Sequence, residues 1–182
     1  MLWFMIIIVI VAAVLILLYN QLVRLRQNVR EGWSAIDTEL RRRYELVPNL
    51  VSVVKGYAAH ERDTLEDVIR ARNAALANNG APTEQAASEN ELTGALRHLF
   101  AVSEAYPDLK ASGHFLDLHK QLVETEDRIS KARRYYNATV RELNTAVETF
   151  PTLLIASSFG FHPEDYFEIN DTAATDPVGV SL

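Results

Sequence analysis

The first eighteen residues, "MLWFMIIIVIVAAVLILL", carry no charged or strongly polar side chain. That run constrains the fold more than anything that follows it. About 20 residues of helix cross the hydrocarbon of a bilayer, so the run reads as a transmembrane helix. Tyr19 falls where an aromatic side chain meets the headgroups, and Trp3 suits the opposite interface. A cleaved signal peptide calls for positive charge before the apolar run and a small-residue cleavage site after it. Here only the α-amino group precedes the run and "YNQLVRLR" follows. Residues 1–18 are therefore predicted to be an uncleaved anchor. Arg24, Arg26 and Arg30 on its C-terminal flank predict an outside N-terminus and a cytoplasmic remainder.

Beyond Asn20 the apolar residues Leu22, Leu25, Val29, Trp33, Ile36, Leu40 and Tyr44 recur at intervals of three or four. That is the stripe of a helix facing a partner, with coiled-coil-like spacing. Val47 extends the stripe, and Pro48 then predicts a turn or kink near Leu46–Val47, because the residue before proline resists the α region. Leu50, Val54, Tyr57, Leu65, Val68 and Arg72 carry a second helix to about Ala77, stopped by "NNG". Pro82-Thr83-Glu84 opens a third, through Leu92, Leu96, Leu99, Phe100 and Val102, which "YPDLKASG" breaks. From Phe115 to Phe150 the helical register is unbroken, roughly 50 Å of helix. Pro151 stops it. "FGFHPEDYFEI" reads as an aromatic segment packed back on the bundle, and "NDTAATDPVGVSL" as a disordered tail. The predicted class is all-α. An N-terminal transmembrane helix (1–18) precedes an elongated antiparallel bundle of long helices (19–168) and a C-terminal tail (169–182).

A reaction centre is hard to assemble from this chain. Cys 0 removes thiol nucleophiles, thiolate metal sites and disulfides. The five histidines show no metal-ligand spacing: His114 and His119 are five apart, and His60-Glu61 is not followed by the rest of H-E-x-x-H. Glu89, Glu124, Asp127, Glu142 and Glu148 do not form the Glu-x-x-His pattern of a di-iron bundle, and they read as solvated helix faces. Phosphate-binding glycine loops and the nucleophile elbow are absent, so no catalytic residue, cofactor or metal is assigned. Net charge is −6, against generic nucleic-acid binding. The basic balance is confined to positions 21–62, with eight Arg/Lys against five Asp/Glu. Arg41, Arg42 and Arg43 fan over about 200° of a helix and cannot close on one phosphate. They read as structural or partner-facing. Asp37, at the border of the stripe, has Arg41 one turn on: an interhelix lock or an exposed ion pair.

The stretch from "YNQLVRLRQNVREGWSAIDTELRRRYELVPNL" to "HERDTLEDVIRARNAA", together with "YPDLKA", "ETEDRISKARRYYNATVRELNTAVETFP" and "FGFHPEDYFE", resembles the LemA family of bacterial membrane proteins. Gly32 stands where the family pattern often has alanine, and "TLLIAS" is a loose version of its segment. The resemblance implies one N-terminal membrane helix in the bacterial inner membrane, long antiparallel cytoplasmic helices and no enzymatic activity. It also implies likeness to a magnetosome-membrane protein and gene neighbourhoods with membrane metalloproteases. Carried onto this chain, the structural or partner-binding candidates are Trp33, Asp37, Arg42, Arg43, Asn49, Glu61, Glu126, Arg133 and Asn144. Trp33 and Asp37 are expected to hold the first turn against the final long helix. The polar members are expected to fix register and partner choice. The expected function is a membrane-anchored scaffold or adaptor whose partners are other membrane proteins or a second copy. The alternatives are a regulator or substrate of a membrane protease, and a metal-dependent enzyme or sensor drawing together His60, Glu61, His119 and Glu126.

Overall fold

The structure, a computed structural model, describes residues 1–169. The tail predicted for 169–182 lies, but for Ile169, outside the described residues. The described chain is helical, with no strand: α1 (Leu2–Tyr57), α2 (Arg62–Ala77), α3 (Pro82–Ser103), α4 (Pro107–Lys110), α5 (Gly113–Glu148) and α6 (Leu153–Ala156), then a 3-10 turn at Ser157–Phe159. Proline opens α3 and α4, at positions where a missing N–H costs nothing. The all-α class and the long helices follow the periodic pattern, and α5 covers the register foreseen from Phe115.

The chain packs as two compact units. The first comprises residues 1–40 and 125–166. Leu22, Val29, Ile36 and Leu40 of α1 and Ile129, Tyr136, Val140, Leu143 and Val147 of α5 form its core, joined by Ile155, Ala156 and Phe161 after the end of α5. Gly32 lets the helices approach closely: a Cβ there would lie 3.1 Å from the Tyr136 Cα. The Trp33 ring then packs on Tyr136, with centroids 5.4 Å apart. No side chain from Met1 to Leu17 is buried, so the apolar run makes no core of its own. Among the described residues, this is the one helical segment long and apolar enough to cross a membrane.

The second unit comprises residues 41–124 with 167–169. Its core takes Val47, Leu50 and Val54 from α1, Leu65, Val68 and Ala75 from α2, Leu92, Leu96 and Leu99 from α3, and Phe115 and Leu122 from α5.

One expectation is corrected here. Of the turn or kink predicted near Leu46–Val47, the turn does not exist: α1 runs through Pro48 to Tyr57, and the break falls at Ala58–Glu61. Proline cannot donate to the carbonyl four residues before it, which is that of Tyr44. Arg72 on α2 supplies the missing donor, its Nε lying 3.1 Å from the Tyr44 carbonyl oxygen. The orphaned acceptor is satisfied from a neighbouring helix, and α1 continues.

Removing that donor is expected to strand a half-buried acceptor. Arg72→Met should cost about 1–3 kcal/mol in the wild-type chain. Its cost should shrink in a Pro48→Ala background, where a main-chain N–H reaches Tyr44. A double-mutant cycle on thermal unfolding in detergent measures the difference, and equal costs in both backgrounds would refute the account.

Candidate functional site

The second unit holds a buried polar cluster at the meeting of α1, α2 and α3. Arg43 and Glu89 are 2% and 0% exposed, with Nη1 and Oε2 3.6 Å apart. Arg43 Nη2 donates to Thr93 Oγ1 at 2.6 Å. The Tyr44 hydroxyl donates to the Glu89 carboxylate. Gln85 Nε2 lies 3.0 Å from that hydroxyl, 3.1 Å from Glu89 Oε1 and 3.2 Å from the Ala75 carbonyl. The Ala75 carbonyl belongs to the last turn of α2, where no helical N–H remains to reach it. Gln85 therefore closes a helix end as well as the cluster. Asn78 closes the α2–α3 loop: its Oδ1 accepts from the Gly80 N–H at 2.9 Å, and its Nδ2 donates to Ser88 at 2.8 Å.

Glu89 was expected on a solvated face, and this is corrected. Burial leaves it facing Arg43, Tyr44 and Gln85. Thr93 takes the Arg43 Nη2 group and Tyr44 and Gln85 take Glu89 Oε1, while Arg43 Nη1 and Glu89 Oε2 face each other across 3.6 Å, so hydrogen bonds offset part of the cost of burying the two charges.

Elsewhere in this unit Glu61, just before α2, accepts from the Tyr106 hydroxyl at 2.7 Å. That hydrogen bond, followed by burial and the carboxylate's charge, raises the Tyr106 pKa above its usual value. Between α2 and α3 lies an open groove of about 560 Å³, lined by Ala71, Ala74, Gly94 and Ala95 with Asp67 and His98. All five histidines are exposed; His119 meets the Phe100 ring at 4.7 Å and lies parallel to Phe115.

In the first unit the polar contacts tie down the chain that follows α5. Asn144 reads main chain at two points: its Nδ2 donates to the Glu164 carbonyl at 3.0 Å, and its Oδ1 accepts from the Glu164 N–H at 2.8 Å. The Tyr136 hydroxyl donates to the Asp165 carbonyl at 2.9 Å. Burial, then the charges of Glu164 and Asp165, push the Tyr136 pKa from 10.0 to about 12. Glu39 and Arg128 form a long, half-exposed ion pair across α1 and α5 at 4.0 Å.

Of the sequence candidates, Trp33, Arg43, Glu61 and Asn144 thus sit in defined contacts. Asp37, Arg42 and Arg133 are half-buried, while Asn49 and Glu126 lie on exposed faces. Sequence reasoning missed Gln85, Glu89 and Thr93. Among the described residues no three His, Asp or Glu side chains converge as metal ligands.

These features define a class: a helical bundle continuous with an apolar helix fit to span a membrane, with Arg43 and Glu89 buried in its packing. The chain belongs to the LemA family, whose sequence model matches residues 32–181, a bacterial family whose members are often membrane-associated. It is 27% identical over 161 residues to Protein LemA of Metamycoplasma hominis, covering 86% of this chain and 72% of that one. It is 24% identical over 178 residues to the magnetosome protein MamQ of Magnetospirillum gryphiswaldense. To MamQ 1 of Paramagnetospirillum magneticum it is 26% identical over 181 residues. These matches cover 84% and 86% of this chain but only 65% and 66% of the MamQ proteins, so the chain spans about two-thirds of their length.

Two outcomes follow. Arg43→Met should destabilise by about 3–5 kcal/mol by leaving Glu89 buried without its cation, whereas Arg43→Met/Glu89→Leu should recover much of that loss. Urea unfolding of the wild type, Arg43→Met, Glu89→Leu and the double variant measures it, and simple additivity would contradict the pairing. For Tyr136, the raised folded pKa means its contribution is full below pH 10 and lost as pH rises towards about 12. Over that window the wild type should lose up to about 1.4 kcal/mol per pH unit more than Tyr136→Phe. Unfolding midpoints in an alkaline series test this; parallel curves would refute it.

Proposed function

We propose that the protein is a membrane-anchored scaffold or adaptor without catalytic activity, holding membrane-associated partners or further copies of itself. The observation that carries this reading is the continuity of α1, in which one helix bears both the apolar run and the stripe that builds the bundle. A rigid joint between anchor and bundle suits a part that positions other molecules. The charged groups best placed for chemistry are instead occupied in packing, Arg43 and Glu89 with Tyr44 and Gln85, Glu61 with Tyr106. The magnetosome association in the relatives' names supports a role within a larger assembly. The three arginines after the apolar run favour an outside N-terminus and a cytoplasmic bundle at a bacterial inner membrane.

The test is to crosslink intact membranes, recover the full chain through a C-terminal tag, and compare it with an anchor-only control. A reproducible partner or a ladder of self-crosslinks is expected. A monomer with no specific companion would overturn the scaffold, and a membrane protease as the sole companion would replace it with a protease substrate or regulator. In the same cells Glu168→Cys should react with an impermeant maleimide only after the cells are opened; reaction in intact cells would reverse the topology.

A further inference from the structure

After α5 the chain makes a short, uncharged excursion. From Thr149 to Phe161 there is no Asp, Glu, Lys or Arg. Within it Phe150 is 76% exposed, Leu153 51%, Leu154 67% and Phe159 55%. Among the described residues beyond Tyr19, no other ten-residue stretch holds more than two large apolar side chains so exposed. The one-turn helix α6 is two-faced: Thr152, Ile155 and Ala156 are buried, and Leu153 and Leu154 are turned outward. A contiguous patch of this kind on a folded surface marks a contact that water does not fill.

Its position says what covers it. The Phe159 ring packs edge-on against Tyr19, with centroids 5.2 Å apart, and Phe161 lies 5.9 Å from the same ring. Tyr19 directly follows the eighteen-residue apolar run, which as helix is about 27 Å long and close to the hydrocarbon thickness. In a chain anchored by that run, Tyr19 sits at headgroup level, and Phe159 is held at the same depth. The Arg26 guanidinium lies 4.6 Å from the Phe161 ring centre, and Arg24 is exposed on the same stretch of α1. Apolar groups beside basic ones match the boundary between acyl chains and anionic headgroups.

The backbone is prepared for such a setting. The N–H groups of Leu153, Leu154, Ile155 and Ala156 donate to the carbonyls of Thr149, Pro151, Thr152 and Thr152, at 2.8 to 3.2 Å. The Thr152 hydroxyl bonds back to the Thr149 carbonyl at 3.0 Å. Gly160, at φ +70°, turns the chain, and the Phe161 N–H closes on the Ala156 carbonyl at 2.9 Å. Polar main-chain groups satisfied within the segment can leave water at little cost.

We propose that residues 150–159 form a second membrane contact, with Phe150, Leu153, Leu154 and Phe159 lying in the headgroup–acyl boundary of the bilayer that α1 crosses. The proposal rests on the membrane-anchor reading, and the test separates the two. The chain has no native cysteine, so single cysteines can carry a polarity-sensitive dye at Leu154→Cys, at Phe150→Cys as a second site, at Val9→Cys in the apolar run, and at Asp127→Cys on an exposed face of α5. Each full-length protein is reconstituted in phosphatidylcholine/phosphatidylglycerol vesicles containing lipids spin-labelled at shallow or deep acyl carbons. The labels at 154 and 150 should lose most of their emission to the shallow quencher, the label at 9 to the deep one, and the label at 127 to neither. Quenching at 9 with none at 154 and 150 overturns the proposal and leaves the anchor standing. In that case, a blue-shifted spectrum at 154 assigns the patch to a second copy of the chain. No quenching at 9 removes the anchor and the proposal together.

Discussion

Tyr44 is held at both ends, and the second unit is organised around it. Its carbonyl is taken by Arg72 of α2, and its hydroxyl sits among Glu89 and Gln85 of α3. A proline in a helix interior costs about 3 kcal/mol, through a lost hydrogen bond and a steric clash. A hydrogen bond from a charged donor returns about 1.5–3 kcal/mol. Burial of Val47, Leu50, Val51 and Val54 on either side of Pro48 adds to that. Continuing the helix therefore wins over turning. The same tyrosine fixes where the Arg43–Glu89 pair can lie, because its hydroxyl occupies one face of the carboxylate.

The first unit reaches order by other means. Close approach at Gly32 and the ring contact of Trp33 with Tyr136 set the spacing of α1 and α5. Asn144 and Tyr136 then capture the returning chain through main-chain atoms of Glu164 and Asp165. Grip on backbone leaves the side chains of both acids exposed. Their charges nonetheless reach the Tyr136 phenol and help to keep it protonated.

Periodicity made much of this legible. Leu22, Val29, Ile36, Leu40, Tyr44 and Val47 are buried as their spacing required, and α3 and α5 begin and end close to their proline and glycine signals. Pro48 misled because the local rule is sound, but its remedy, Arg72, lies 28 positions from the Tyr44 carbonyl it serves. Glu89 misled differently. It stands in register with Leu92, Leu96 and Leu99 at intervals of three, four and three, a visible sign of burial. Residue type outweighed register, since a lone Glu is seldom buried and its cation is 46 positions distant. Arg43, between Leu40 and Val47 at the same intervals, carried the matching sign. Asn144 could be flagged as a polar candidate, but its partner is backbone, which leaves no mark in the sequence.

The pattern of engaged and unengaged groups bears on function. Charges that could have served chemistry are spent on register inside the second unit, while beyond Tyr19 the densest run of uncovered apolar side chains, Phe150 to Phe159, lies in the first, at the foot of the anchor. A single span leaves a protein free to rotate about its own axis and to tilt. A scaffold benefits from losing that freedom, because a partner diffusing in the membrane meets only the face presented to it. The proposed contact at 150–159 removes it: Tyr19 marks one point at the interface, and the Phe150–Phe159 patch marks a second, off the axis of α1. On the scaffold reading proposed above, charged substitutions in that patch would leave the protein anchored but unoriented, a defect in recruitment without a defect in localisation. Substitutions around Tyr44 would act on the fold itself.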